Sequence, residues 1–179
     1  MANETPVDRL FSESSLVIQA LGQNEPSLVI SASDNFRKSL FLAAASYFEY
    51  RVSNCVAEFV HERTNGATLV VSFVKNKAIS RQYHTWFSWS DSNANQFFGL
   101  FGAEFKQMMV DKVKASEELR ISVQAFMQLG SERNKLIHQD FASYAMDKTL
   151  DEIYALYKQA LSFVEGIANH LRECQPIAR

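Results

Sequence analysis

From Ser116 to Phe141 the chain reads SEELRISVQAFMQLGSERNKLIHQDF. Leu119, Val123, Phe126, Leu129 and Leu136 recur at helical spacing, which gives one apolar face on a long amphipathic helix. Glu117 and Glu118 stand at its start, where negative charge suits the positive end of a helix dipole. Near its end come Arg133 and His138, polar groups that a packed face tolerates only when each has a partner. The stretch therefore reads both as a core helix and as the carrier of some chemistry.

The same helical reading extends outward in both directions. Val7 to Leu21 has near-helical apolar spacing and stops at Gly22, giving a first helix and a linker within residues 1–30. A second, much longer helix is expected from the capping residues Ser31–Asp34 to the Asn65-Gly66 stop. Its Leu40, Ala44, Tyr47, Phe48, Val52, Cys55, Val56 and Phe59 form a stripe that suits a main wall of the core. Residues 67–79, ATLVVSFVKNKAI, are dense in β-branched side chains, a strand signal by composition; their all-helical surroundings favour a helix. Residues 80–95 read as an irregular connection leading to one helix through QFFGLFGAEFKQMMV. The last helix opens on a capping box, Thr149 to Glu152, and runs to about Arg172. These elements predict an all-α, antiparallel helical bundle.

Composition bounds the function classes. With 179 residues, 47% hydrophobic and 21% charged, the chain suits one domain, 1–179, with its core bundle at 33–172. Three prolines, Pro6, Pro26 and Pro176, leave the middle free of breakers. A net charge of −2 excludes a broadly basic nucleic-acid binder, so any RNA site is local. Cys55 and Cys174 follow no metal or disulfide pattern. The N-terminus has no basic segment followed by an apolar run, and no stretch is long enough to span a bilayer. A soluble, cytoplasmic protein with no membrane association is expected.

On an ideal helix Asn134 and His138 share a face, whereas Arg133 and His138 diverge by roughly 140°. Either the arginine curls or the helix ends near the histidine. Two readings are open. Arg133 pairs with a surface carboxylate and His138 caps the helix through its dipole, or the two act on a substrate. His61 and His170, near helix ends, read as structural, and Trp86 and Trp89 read as anchors of the 80–95 segment rather than base-stacking platforms. The Phe-rich FFGLFGAEF reads as core or dimer interface.

RNKLIH followed by QDF resembles the R-x4-H signature of the HEPN superfamily of helical ribonucleases, including the asparagine that commonly follows the arginine. FLAAASYFEYRVSNCVAEFV, with its Phe48-Glu49 step, is similar to the second helix of these domains, and NQFFGLFGAEF to the piece preceding the catalytic helical pair in the RiboL-PSP-like branch. The resemblance covers about residues 33 to 172 and leaves the first helix outside. It implies a HEPN-like bundle acting as a homodimer and a metal-independent endoribonuclease with toxin or phage-defence roles. On the matching positions Arg133 and His138 would be catalytic, with Asn134 and Glu49 supporting.

The chemistry suits those side chains in its own right. RNA is cut when its 2′-hydroxyl attacks the adjacent phosphorus, leaving 2′,3′-cyclic phosphate and 5′-hydroxyl ends. A protein must move one proton off the nucleophile, place one on the leaving oxygen and steady the added negative charge. Imidazole suits the proton transfers and guanidinium the charge, so neither metal nor cofactor is expected. One imidazole cannot readily serve as base and acid together, which favours a homodimer in which two Arg133 and two His138 meet one phosphate, with Lys135 adding positive charge for RNA binding. A regulatory or antitoxin protein is a further possible partner. The competing class is a HEPN-like module that binds RNA, a nucleotide or a protein without catalysis.

Overall fold

The computed structural model describes residues 4–174; Pro176 and the extreme ends of the 1–179 span lie outside the described residues. Those described residues are all-α, with seven helices and no strand. The helices are α1 (Pro6–Asn24), α2 (Val29–Arg63), α3 (Thr68–Val74), α4 (Asn95–Gly99), α5 (Ala103–Ala115), α6 (Glu117–His138) and α7 (Leu150–Glu173). The most extensive helix contacts run between α6 and α7 and between α2 and α7, so α7 is the centre against which the two long helices pack. No helix among the described residues is long and apolar enough to cross a membrane.

The local stops and starts follow from backbone chemistry. The 35 residues of α2 contain neither Pro nor Gly, and the helix ends where Asn65 and Gly66 adopt φ values of 49° and 71°. The Gly66 N–H then donates back to the His61 carbonyl at 2.9 Å, closing the end as expected. The Ser116 hydroxyl accepts from the Leu119 N–H at 3.2 Å to open α6, and Thr149 and Glu152 form a reciprocal capping box on α7.

Two expectations need correction, and a third is met. The Ser31–Asp34 cap is not used: a 3-10 turn at Pro26–Leu28 starts the helix earlier, and α2 begins at Val29, because proline is already set for a first helical turn. The helix through QFFGLFGAEFKQMMV is two helices, α4 and α5, parted at Gly102, whose φ of 101° is left-handed. Residues 68–79 are helical, as α3 and a π-helical turn at Lys75–Ile79, yet Leu69 and Phe73 point outward, 87% and 67% exposed.

The core is aromatic. Phe48 meets Phe126 and Tyr157, and Phe126 meets Phe87 and Phe163, at ring separations of 5.0 to 5.8 Å; each such burial stabilises by about 1.5–3 kcal/mol. Tyr83, Trp86 and Phe87 of the 80–95 segment join this cluster, so that segment is a plug in the bundle. α1 also joins it: Val7 is buried, the Thr5 hydroxyl lies 2.8 Å from that of Tyr157, and Asp8 accepts from Tyr154 at 2.8 Å and pairs with Lys158.

Candidate active site

Arg133 and Asn134 lie in the last turns of α6, and Glu49 faces them from the middle of α2. The Arg133 guanidinium sits 3.8 Å from the Glu49 carboxylate and donates to the Asn134 side-chain oxygen at 3.1 Å. Both charged side chains are partly exposed, 32% and 46%, so the pair is solvent-screened and contributes little stability. Its effect is orientation: Glu49 and Asn134 hold the guanidinium with donor hydrogens left for an anion.

These groups border a narrow slot walled by Phe48, Tyr83, Trp89 and Phe126, with His84 at its edge. Its enclosed volume is about 10 Å³, room for roughly one water; a substrate therefore meets its mouth, not its floor. Burial pushes the Tyr83 phenol far above its ordinary range, with Glu49 adding and Arg133 opposing, so this hydroxyl stays protonated.

His138 ends α6, as the spacing required if the arginine did not curl. It is exposed and does not line the Arg133 slot of its own chain. Lys135 is exposed and pairs with Glu132 at 2.7 Å, while Glu132 also accepts from Tyr144 at 2.8 Å. Burial raises the Glu132 pKa, but these hydrogen bonds outweigh it and hold the carboxyl below its ordinary value. Within one chain, then, Arg133 and Lys135 each have an acidic neighbour, Glu49 and Glu132. The structure thus joins Arg133, Asn134 and Glu49 and leaves Lys135 and His138 to the side.

Sequence reasoning missed two sets of residues that build this corner. Asp34, Arg37 and Lys38 of α2 hold the loop after His138. The buried Lys38 ammonium donates to the Phe141 carbonyl at 2.9 Å, lies 5.3 Å from the Phe141 ring centre and pairs with Asp34 at 2.8 Å. Arg37 donates to the carbonyls of Met146 and Lys148. The second set is Gly130 and Trp89. A Cβ on Gly130 would stand 1.8 Å from the Trp89 ring, so the indole lies on bare α6 backbone one turn before Arg133. Its N–H donates to the His84 carbonyl at 3.0 Å. Trp86 donates likewise to Ala78 at 3.1 Å. Both tryptophans are anchors, as expected. Gly130→Ala should lower stability by about 1–3 kcal/mol through forced repacking of Trp89, read as an earlier denaturant midpoint; an unchanged midpoint would refute this seating.

The RiboL-PSP-HEPN family model matches residues 8–173. The chain belongs to this family. The match takes in α1 from Asp8 onward, which the sequence resemblance had left outside; Asp8 binds Tyr154 and Lys158 of α7. No curated protein and no solved structure matches the chain. Membership of the RiboL-PSP-HEPN family supports a nuclease or RNA-binding module in general terms. Among the described residues of this HEPN domain, no three His, Cys, Asp or Glu side chains group as a metal site.

Proposed function

We propose that this HEPN domain is a metal-independent endoribonuclease, with Arg133 steadying phosphate charge and His138 transferring a proton, acting as a toxin or phage-defence effector. The observation that carries the reading is the Arg133–Asn134–Glu49 cluster at the end of a helix that stops at His138. Glu49 and Asn134 orient the guanidinium; Lys135, turned to Glu132 in the free chain, is the nearest further cation for RNA. Because His138 lies outside its own chain's slot, the active unit is a two-fold homodimer that brings the imidazole of one protomer to the arginine of its partner. A regulatory antitoxin would mask this shared cleft.

Purified protein incubated with end-labelled RNA in excess EDTA should cut it, leaving 2′,3′-cyclic phosphate and 5′-hydroxyl ends, since an internal 2′-oxygen nucleophile produces those ends. A strict need for Mg²⁺, or 5′-phosphate ends, would overturn the mechanism. The second reading, a binding module without catalysis, is favoured by the separation of His138 from the Arg133 slot; tight RNA retention with no cleavage at any protein concentration would select it.

A further inference from the structure

Two proton transfers are needed at one phosphate, and the Arg133 slot is bordered by a histidine, His84, that the reading above leaves idle. His84 lies in a 3-10 turn, Tyr83–Thr85, of the 80–95 plug. Its neighbours are fixed on every side. Tyr83 is buried edge-on against Trp86 and Phe87. The His84 carbonyl accepts from the Trp89 indole at 3.0 Å, and the Thr85 carbonyl accepts from the Gln96 amide at 2.7 Å. The backbone is thus held while the side chain is exposed and borders the slot together with Arg133, Asn134 and Glu49.

Among the described residues, the His84 ring has no hydrogen-bond partner; what is tied down is its carbonyl. The phenol of the slot, Tyr83, is held neutral by burial, and His138 of the same chain does not line the slot. Imidazole is a side chain suited to proton transfer, and His84 is the histidine that borders the Arg133 slot of its own chain.

We propose that His84 is the second imidazole of the Arg133 site and carries one of the two proton transfers of RNA cleavage, an inference that rests on the ribonuclease reading. The 2′-oxygen bonds to phosphorus as its proton passes to one imidazole. The bond from phosphorus to the 5′-oxygen breaks as the other imidazole, protonated beforehand, gives that oxygen its proton. His84 and His138 end with their protonation exchanged, and solvent resets both. Arg133 faces the phosphate between them.

The test compares wild-type protein with His84→Ala and His84→Gln on an RNA oligonucleotide and on a ribonucleoside 3′-(4-nitrophenyl phosphate), whose leaving group departs without a proton. Both variants should keep the wild-type melting temperature, since the ring is exposed, and lose about 10²–10³-fold in cleavage of RNA. If His84 is the acid, the loss shrinks at least about tenfold on the nitrophenyl ester; if it is the base, imidazole added to the His84→Ala protein recovers cleavage. Variants within about twofold of wild type on RNA, or a loss that neither the ester nor imidazole relieves, would overturn the assignment. Should His84→Ala unfold, His84→Gln, which keeps a polar side chain of similar size, gives the decision. A wild-type protein that cuts no RNA would sink the ribonuclease reading itself, whereas active wild type beside equally active variants sinks only the role of His84.

Discussion

Replacing His138 by alanine should lower RNA cleavage by about 10²–10⁴-fold, the range for a lost proton-transfer group, and should leave the fold as stable as before. The side chain is exposed, and among the described residues it makes no hydrogen bond, so its removal should change stability by no more than about 0.5 kcal/mol. Arg133→Ala should be similarly inactive. The informative experiment combines them. If the arginine and the histidine that serve one phosphate come from different protomers, a co-expressed mixture of the two inactive chains forms heterodimers with one intact site. Random pairing then returns about a quarter of the wild-type rate. A mixture as inactive as its components would refute the shared cleft, and a fully active His138→Ala protein would remove His138 from the chemistry.

The second large effect is on stability and falls at Asp34. The Lys38 ammonium is only 3% exposed and is balanced by the Asp34 carboxylate at 2.8 Å. Asp34→Ala strands that buried charge on one carbonyl and one ring, a loss of about 2–4 kcal/mol, somewhat below the full range for a broken buried pair because Asp34 is a third exposed. Lys38→Met keeps the apolar stem and deletes the charge, so it should cost less than Asp34→Ala, and adding it to Asp34→Ala should recover much of the loss. Denaturant midpoints at unchanged slope read all three proteins. An Asp34→Ala protein within about 0.5 kcal/mol of wild type would show that Lys38 is served by solvent instead.

What was legible in the sequence is what local chemistry specifies. The 3.6-residue recurrence from Leu119 to Leu136, the Asn65-Gly66 stop and the Thr149–Glu152 capping box each rest on interactions within a few residues, and each appears in the structure. The break at Gly102 was hidden for the same reason: Phe97, Phe101 and Phe105 keep four-residue spacing across it, so periodicity runs on where the backbone does not. Arg133 and its asparagine were readable as a motif. Their setting was not, because Trp89 seats on Gly130 and Lys38 reaches Phe141 across 41 and 103 residues. A lysine that is buried looks, in sequence, like any surface lysine.

The central place of α7 also has a kinetic meaning. Domains form as the chain emerges from its N-terminus, and here the helix that covers both α2 and α6 follows both of them in the chain. Until residues 150–173 are available, the apolar faces of those two helices lack their common partner, and Glu49 and Arg133 have no fixed frame in which to meet. A nascent chain whose residues 150–173 have not yet emerged is thus without an assembled Arg133 corner.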